Sequence, residues 1–155
     1  MMDHTNLKEP QTTIYTIGFA QKAAKEFFSS LSNNNIRKLI DIRLNNTSQL
    51  AGFAKKHDLE YFLEKICNIK YVHKPDFAPT QEILDNYKKK IISWVEYEKK
   101  YLDILSQLDI KQKITFEELN MSCLLCSEPK PDFCHRRLLA EYFKNLYKEI
   151  EIKHI

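Results

Sequence analysis

Five short runs of β-branched and apolar residues are strung along this 155-residue chain, with helix-patterned stretches between them. The runs are residues 12–17, 36–42, 69–73, 121–126 and 149–155. The first is rich in threonine, isoleucine and tyrosine and stops at Gly18; the last places isoleucine at alternate positions. Between the first two, Ala23, Phe27, Phe28 and Leu31 recur at helical spacing over residues 22–31. A second helix is expected over residues 59–67 with Asp58 as its cap. A two-piece helical stretch is expected over 80–108, and a last helix over 133–148 capped by Asp132. Strands alternating with helices predict an α/β fold: one domain with a mostly parallel sheet flanked by helices, a Rossmann-like three-layer arrangement. Residues 1–11 read as a loose tail and 12–155 as the domain.

That architecture predicts where a ligand would bind. Open parallel sheets take ligands outside the carboxyl ends of their strands. At those ends the chain carries Gly18, then Asp41 with Arg43, then His73, then Cys126 with Glu128. The last of these strands leads through a loop with two prolines into Cys134-His135-Arg136-Arg137. Only four arginines occur in the chain, and two of them are here. Guanidinium groups at a helix start suit phosphate or carboxylate, which makes Arg43 and Arg136 the expected anion-binding pair. The alternative is structural pairing, Arg43 with Glu128 and Arg136 with Asp41.

Cys134, near the start of its helix, reads as a nucleophile because unpaired amides and nearby cations favour a thiolate; the competing reading is a packing thiol. Cys126 has a similar case. His135 and His73 are the histidines placed for acid–base work, and Asp41 and Glu128 would orient them or act as bases. Cys67 reads as core. Cys123 lies three residues before Cys126, so a regular strand points the two to opposite faces. A four-ligand zinc site from Cys123, Cys126, Cys134 and His135 is therefore not the expectation, and no metal or cofactor is assigned.

Several classes are excluded. Gly18 and Gly52 are the only glycines, too few for a glycine-rich phosphate loop. A cysteine phosphatase needs arginine six positions after its cysteine, where this chain has Asp132, Ala140 or His73. No apolar run approaches the roughly 20 residues of a membrane span. The start of the chain lacks the apolar core of a signal peptide, so a cytoplasmic location is expected. Four cysteines then read as thiols, not as a disulfide framework. The net charge of +3 permits an anionic partner without demanding one.

Taken in order, Thr16-Ile-Gly18, Leu39-Ile-Asp41-Ile-Arg43, Tyr71-Val-His73-Lys-Pro75, Leu125-Cys126-Ser-Glu128 with Cys134-His135-Arg136, and Lys153-His154-Ile155 resemble the bacterial and archaeal family called domain of unknown function 488. The resemblance covers residues 12–155. It implies an α/β fold and a shared polar site, and no established reaction. The family often has serine just after the Thr-Ile-Gly turn, where this chain has Phe19 and Ala20. It usually has proline and a further arginine after Asp-x-Arg, where this chain has Leu44-Asn-Asn-Thr-Ser48. Two functions from different classes are expected. One is a small enzyme acting on a nucleotide or phosphorylated substrate through a Cys/His/Arg site. The other is a non-catalytic module that binds a nucleotide or nucleic acid.

Overall fold

The structure is a computed structural model describing residues 11–47 and 52–155. The expected N-terminal tail, apart from residue 11, lies outside the described residues. Five strands form one sheet: β1 (Thr12–Gly18), β2 (Lys38–Asp41), β3 (Lys70–His73), β4 (Ser122–Cys126) and β5 (Ile150–His154), in the order β3-β2-β4-β1-β5. All four strand pairings are parallel. The expected fold class and its five strands are thus observed.

Side chains alternate across the sheet as strand geometry requires. Ile14, Ile40 and Leu124 enter one apolar cluster; Tyr15, Leu39, Cys123 and Leu125 enter the other. The second cluster is closed by helix α1 (Ala24–Asn33), which buries Phe27 and Leu31 one turn apart. It is completed by α2 (Lys56–Tyr61), which runs into a π-helical turn at Phe62–Ile66. The first cluster is closed by α3 (Gln81–Lys88), α4 (Trp94–Gln107), α5 (Ile110–Lys113), α6 (Phe116–Leu119) and α7 (His135–Leu146).

The change of face has a topological cause. The chain steps from β1 to β2 to β3 in one direction across the sheet, then returns to β4 and on to β5 in the other. Crossovers between parallel strands keep one hand, so reversing direction obliges the covering helices to change face. The connections leaving β2 and β4, which are neighbours, therefore diverge. Such a divergence opens a crevice at the carboxyl ends of the two strands.

Helix boundaries depart from the sequence reading in three places. Helix α2 begins at Lys56, with Lys55 at the cap position making no side-chain cap bond, and Asp58 lies inside its first turn, where the helix dipole favours an acid. Helix α7 begins at His135, with Cys134 at the cap position; the Cys134 amide donates to the Pro131 carbonyl in a preceding turn. Asp132 does not cap it, and its carbonyl instead accepts from Arg137 Nε and Nη2 at 3.2 and 3.0 Å. Helices α5 and α6 were not anticipated, although Thr115 and Glu118 form a capping box that the sequence carries in plain form. The two-piece stretch is α3, capped by Thr80, and α4, capped by Ser93 with Glu96. No helix among the described residues is long and apolar enough to cross a membrane.

Candidate functional site

The crevice between the ends of β2 and β4 is a cavity of about 690 Å³. Arg43, Leu44 and Asn45 leave β2 along one wall; Cys126, Ser127 and Glu128 leave β4 along the next. Phe133, Cys134 and His135 form its floor at the start of α7, and Gln81, Leu84, Tyr87, Lys88 and Tyr97 close it from α3 and α4. Five of the nine residues singled out from sequence border this space: Arg43, Cys126, Glu128, Cys134 and His135. Asp41, Arg136, His73 and Gly18 do not.

Each of those four has a supporting place. Gly18 ends β1 under the loop that follows β4, where an added Cβ would collide with the Glu128 carbonyl oxygen. Glycine is needed there for close approach, not to touch a ligand. Arg136 is fully buried and donates from Nη1 to that same carbonyl at 2.7 Å, to the Lys130 carbonyl at 3.3 Å, and from Nε to Thr16 Oγ1 at 3.2 Å. It clamps the loop onto β1 and forms neither a wall of the cavity, as an anion-binding residue would, nor the alternative pair with Asp41, which bonds Arg43 instead. His73 Nε2 lies 2.8 Å from the Arg43 carbonyl, to which it donates. Asp41 is fully buried and accepts from the Arg43 amide, Arg43 Nε, Arg43 Nη2 and Tyr71 Oη. Its oxygens are occupied in this way, and it positions Arg43.

Arg43 is 4 % exposed. Its Nε and Nη2 form a two-pronged bond to Asp41 at 2.9 and 2.7 Å, and Nη2 also donates to the Ala54 carbonyl at 2.8 Å. The guanidinium lies 5.1 Å from the centre of the Phe19 ring. Burial disfavours its charge most, but the hydrogen bond and charge of Asp41, with Tyr71 and Cys126, together outweigh it and raise its pKa. The remaining nitrogen, Nη1, is buried and has no hydrogen-bond partner among the described residues.

Beside it lies a compact group of Cys126, Cys134 and His135, all buried, with one side-chain donor atom from each within 4.8 Å of the others. His135 Nε2 is 2.9 Å from the Ile42 carbonyl. A carbonyl only accepts, so Nε2 carries a hydrogen. Cys126 Sγ lies 3.5 Å from Nδ1 and 3.9 Å from Nε2, over the imidazole ring. The Tyr101 ring packs edge-on against the imidazole, and its hydroxyl donates to the Phe77 carbonyl at 2.6 Å.

The two thiols diverge in acidity. A hydrogen bond from Cys134 lowers the pKa of Cys126 against its burial, helped by the Ser127 and Glu128 amides and the Arg136 charge. Cys134 is driven well above the ordinary thiol range, first by donating to Cys126 and then by burial. Cys134 was the leading thiolate candidate from sequence because it was placed inside the helix. In the structure it stands at the cap position of α7, beside Cys126. Cys123 sits on the opposite sheet face, where burial pushes its pKa up. Cys67, expected in the core, is partly buried at the end of the π turn and packs against the second apolar cluster.

The wall from α3 and α4 was not read from sequence. Tyr87, Trp94 and Tyr97 form an aromatic stack, with Trp94 and Tyr97 4.8 Å apart, and the 61 % exposed Phe133 meets Trp94 edge-on. Burial, and then Cys126, Cys134 and Glu128, raise the pKa of Tyr97, keeping its hydroxyl protonated beside the thiols.

No curated protein and no solved structure matches this chain. The family model described as "Domain of unknown function DUF488" matches residues 23–143. That span runs from the start of α1 through most of α7 and includes every residue that borders the cavity. The resemblance drawn from the ordered motifs is therefore matched by a family model over most of the chain, which belongs to the DUF488 family.

Proposed function

We propose that the protein is a small enzyme that binds an anionic substrate, a nucleotide or phosphorylated metabolite, in the cavity between β2 and β4. One observation carries this reading: Arg43, a residue that borders the cavity, has a buried guanidinium nitrogen, Nη1, with no partner among the described residues. Leaving a buried donor unsatisfied costs about 1–3 kcal/mol, and more for a charged group. An anion entering the cavity relieves that cost. Asp41 already orients the guanidinium, so little side-chain entropy is lost on binding. The charge of buried Arg136, which has no ion pair among the described residues, adds to the positive field. Tyr87, Tyr97 and Phe133 offer ring faces and edges for the rest of the substrate.

Cys126, Cys134 and His135 then lie where the held anion meets its reacting partner. Such a group supports two chemistries, attack by a thiolate or polarisation by a metal held on the three side chains. The non-catalytic reading keeps the anion site and drops the reaction.

Arg43→Lys separates the charge from the fork, because lysine can pair with Asp41 but has no Nη1. Millimolar inorganic phosphate or nucleoside monophosphate is expected to raise the melting temperature of the wild type by mass action. The variant, with unchanged circular dichroism, is expected to lose that rise. No rise with any anion in the wild type contradicts the reading. A strongly salt-dependent affinity for polynucleotide supports the binding-module alternative.

A further inference from the structure

We infer that Cys126, Cys134 and His135 bind one zinc ion and leave its fourth coordination position open to the cavity. All three side chains are at least nine-tenths buried, and all three border that space. They come from the end of β4 and the first residues at α7, so the scaffold fixes their spacing.

The spacing of the donor atoms is close to that around this ion. Zinc–sulfur and zinc–nitrogen bonds of about 2.3 and 2.05 Å in a tetrahedron place sulfur and nitrogen about 3.5 Å apart. Cys126 Sγ and His135 Nδ1 are 3.5 Å apart. Two zinc-bound sulfurs would be about 3.8 Å apart. All three donor atoms already lie within 4.8 Å, so Cys134 has at most about 1 Å to close on Cys126 and about 1.3 Å on His135. Nε2–H donates to the Ile42 carbonyl, which leaves Nδ1 as the ring atom free to ligate; Cys126 Sγ, 3.5 Å from Nδ1 and 3.9 Å from Nε2, sits over the ring, so ring or thiol must turn for both to take one ion. A hydrogen bond from the other ring nitrogen is what orients ligating histidines generally.

Ligand type and number narrow the choice further. Thiolate and imidazole select zinc over magnesium or calcium. Structural zinc sites use four protein ligands, whereas catalytic sites use three and keep one position open. Cys123, the one further cysteine in this part of the sequence, points into the opposite apolar cluster and cannot complete the set. The sequence reading set a metal aside because it asked for Cys123 as a ligand; with Cys123 removed, an open three-ligand site remains. On binding, each thiol releases its proton to solvent, and two thiolates neutralise the ion. Arg43 and Arg136 then oppose the bound metal little and favour an anion at its free position. That last point rests on the proposed substrate reading; metal binding itself does not.

The test uses untagged, reduced, full-length protein loaded with zinc or cobalt(II) and freed of excess metal. One equivalent of zinc is expected to remain after gel filtration. Cobalt is expected to give the thiolate charge-transfer band and intense visible bands of a tetrahedral site. Cys126→Ser and Cys134→Ser are each expected to weaken the bound metal more than tenfold, and Cys123→Ala to leave stoichiometry unchanged. An experiment without variants guards against misfolded mutants. Zinc should protect Cys126 and Cys134 from iodoacetamide in the wild type, while half-buried Cys67 alkylates with or without metal. Failure to retain zinc, lack of protection, or dependence on Cys123 overturns the inference. None of these readouts contains an anion, so the anion site can fail while the metal site stands, or the reverse.

Discussion

Arg136→Ala is expected to lower the free energy of unfolding by roughly 4 kcal/mol or more, measured as a fall in the urea midpoint at unchanged slope. Arg136 is the largest fully buried side chain. Removing it empties a large volume at the junction of β1, β4 and α7, and large-to-small changes in cores cost about 2–5 kcal/mol by themselves. It also strips partners from the Glu128 and Lys130 carbonyls and from Thr16 Oγ1, which it bonds at 2.7, 3.3 and 3.2 Å. Thr16 Oγ1 in turn lies 2.6 Å from His154 Nδ1, so the loss spreads to the edge strand β5. Arg136→Lys keeps the charge but not the fork and is expected to recover less than half of the loss. A change below about 1 kcal/mol for the alanine variant would show that the loop holds its place without the clamp.

Asp41→Ala is expected to destabilise by roughly 3–5 kcal/mol, because it leaves the Arg43 cation buried and unpaired. Asp41 accepts the Arg43 amide at 3.1 Å, Nε at 2.9 Å, Nη2 at 2.7 Å and Tyr71 Oη at 2.7 Å. Buried Tyr71, its pKa raised by burial and then by the Asp41 charge, would stay a neutral donor without its acceptor. The double variant Asp41→Ala, Arg43→Met removes the orphaned charge and is expected to regain more than half of the stability, while losing any response to phosphate. If the single variant is as stable as the wild type, Arg43 is not held by Asp41 and the geometry of the anion site is wrong.

The sequence carried the fold because strand and helix periods are local. Residues 12–17, 36–42, 69–73, 121–126 and 149–155 all fall on observed strands. It also carried the position of the site, since the carboxyl ends of parallel strands are counted from the strands themselves. It could not say which polar residue faces the ligand and which stands behind it. Asp41 and Arg43 share a strand end, yet Asp41 spends its oxygens on Arg43 and Tyr71, and only Arg43 reaches the cavity. His135 and Arg136 are adjacent on α7, and the 100° turn between them sends one to the cavity and the other to β1. The rotation of α7 is set by packing against the sheet, which no local pattern encodes. The aromatic wall of Tyr87 and Tyr97 was missed because helix residues that line a cavity have the same spacing as those that fill a core.

The account rests on Arg43 being the group that meets an anion, and four arginines make this directly observable. The side-chain nitrogen resonances of Arg37, Arg43, Arg136 and Arg137 can be assigned and followed while inorganic phosphate or a nucleoside monophosphate is added. Arg37 is exposed at the opposite edge of the sheet, Arg136 is sealed in its clamp, and Arg137 pairs with Glu141 at 3.0 Å. The account predicts a saturable shift of the Arg43 guanidinium, with Arg37 and Arg137 unmoved. A silent Arg43, with shifts only at Arg37 or Arg137, would contradict it.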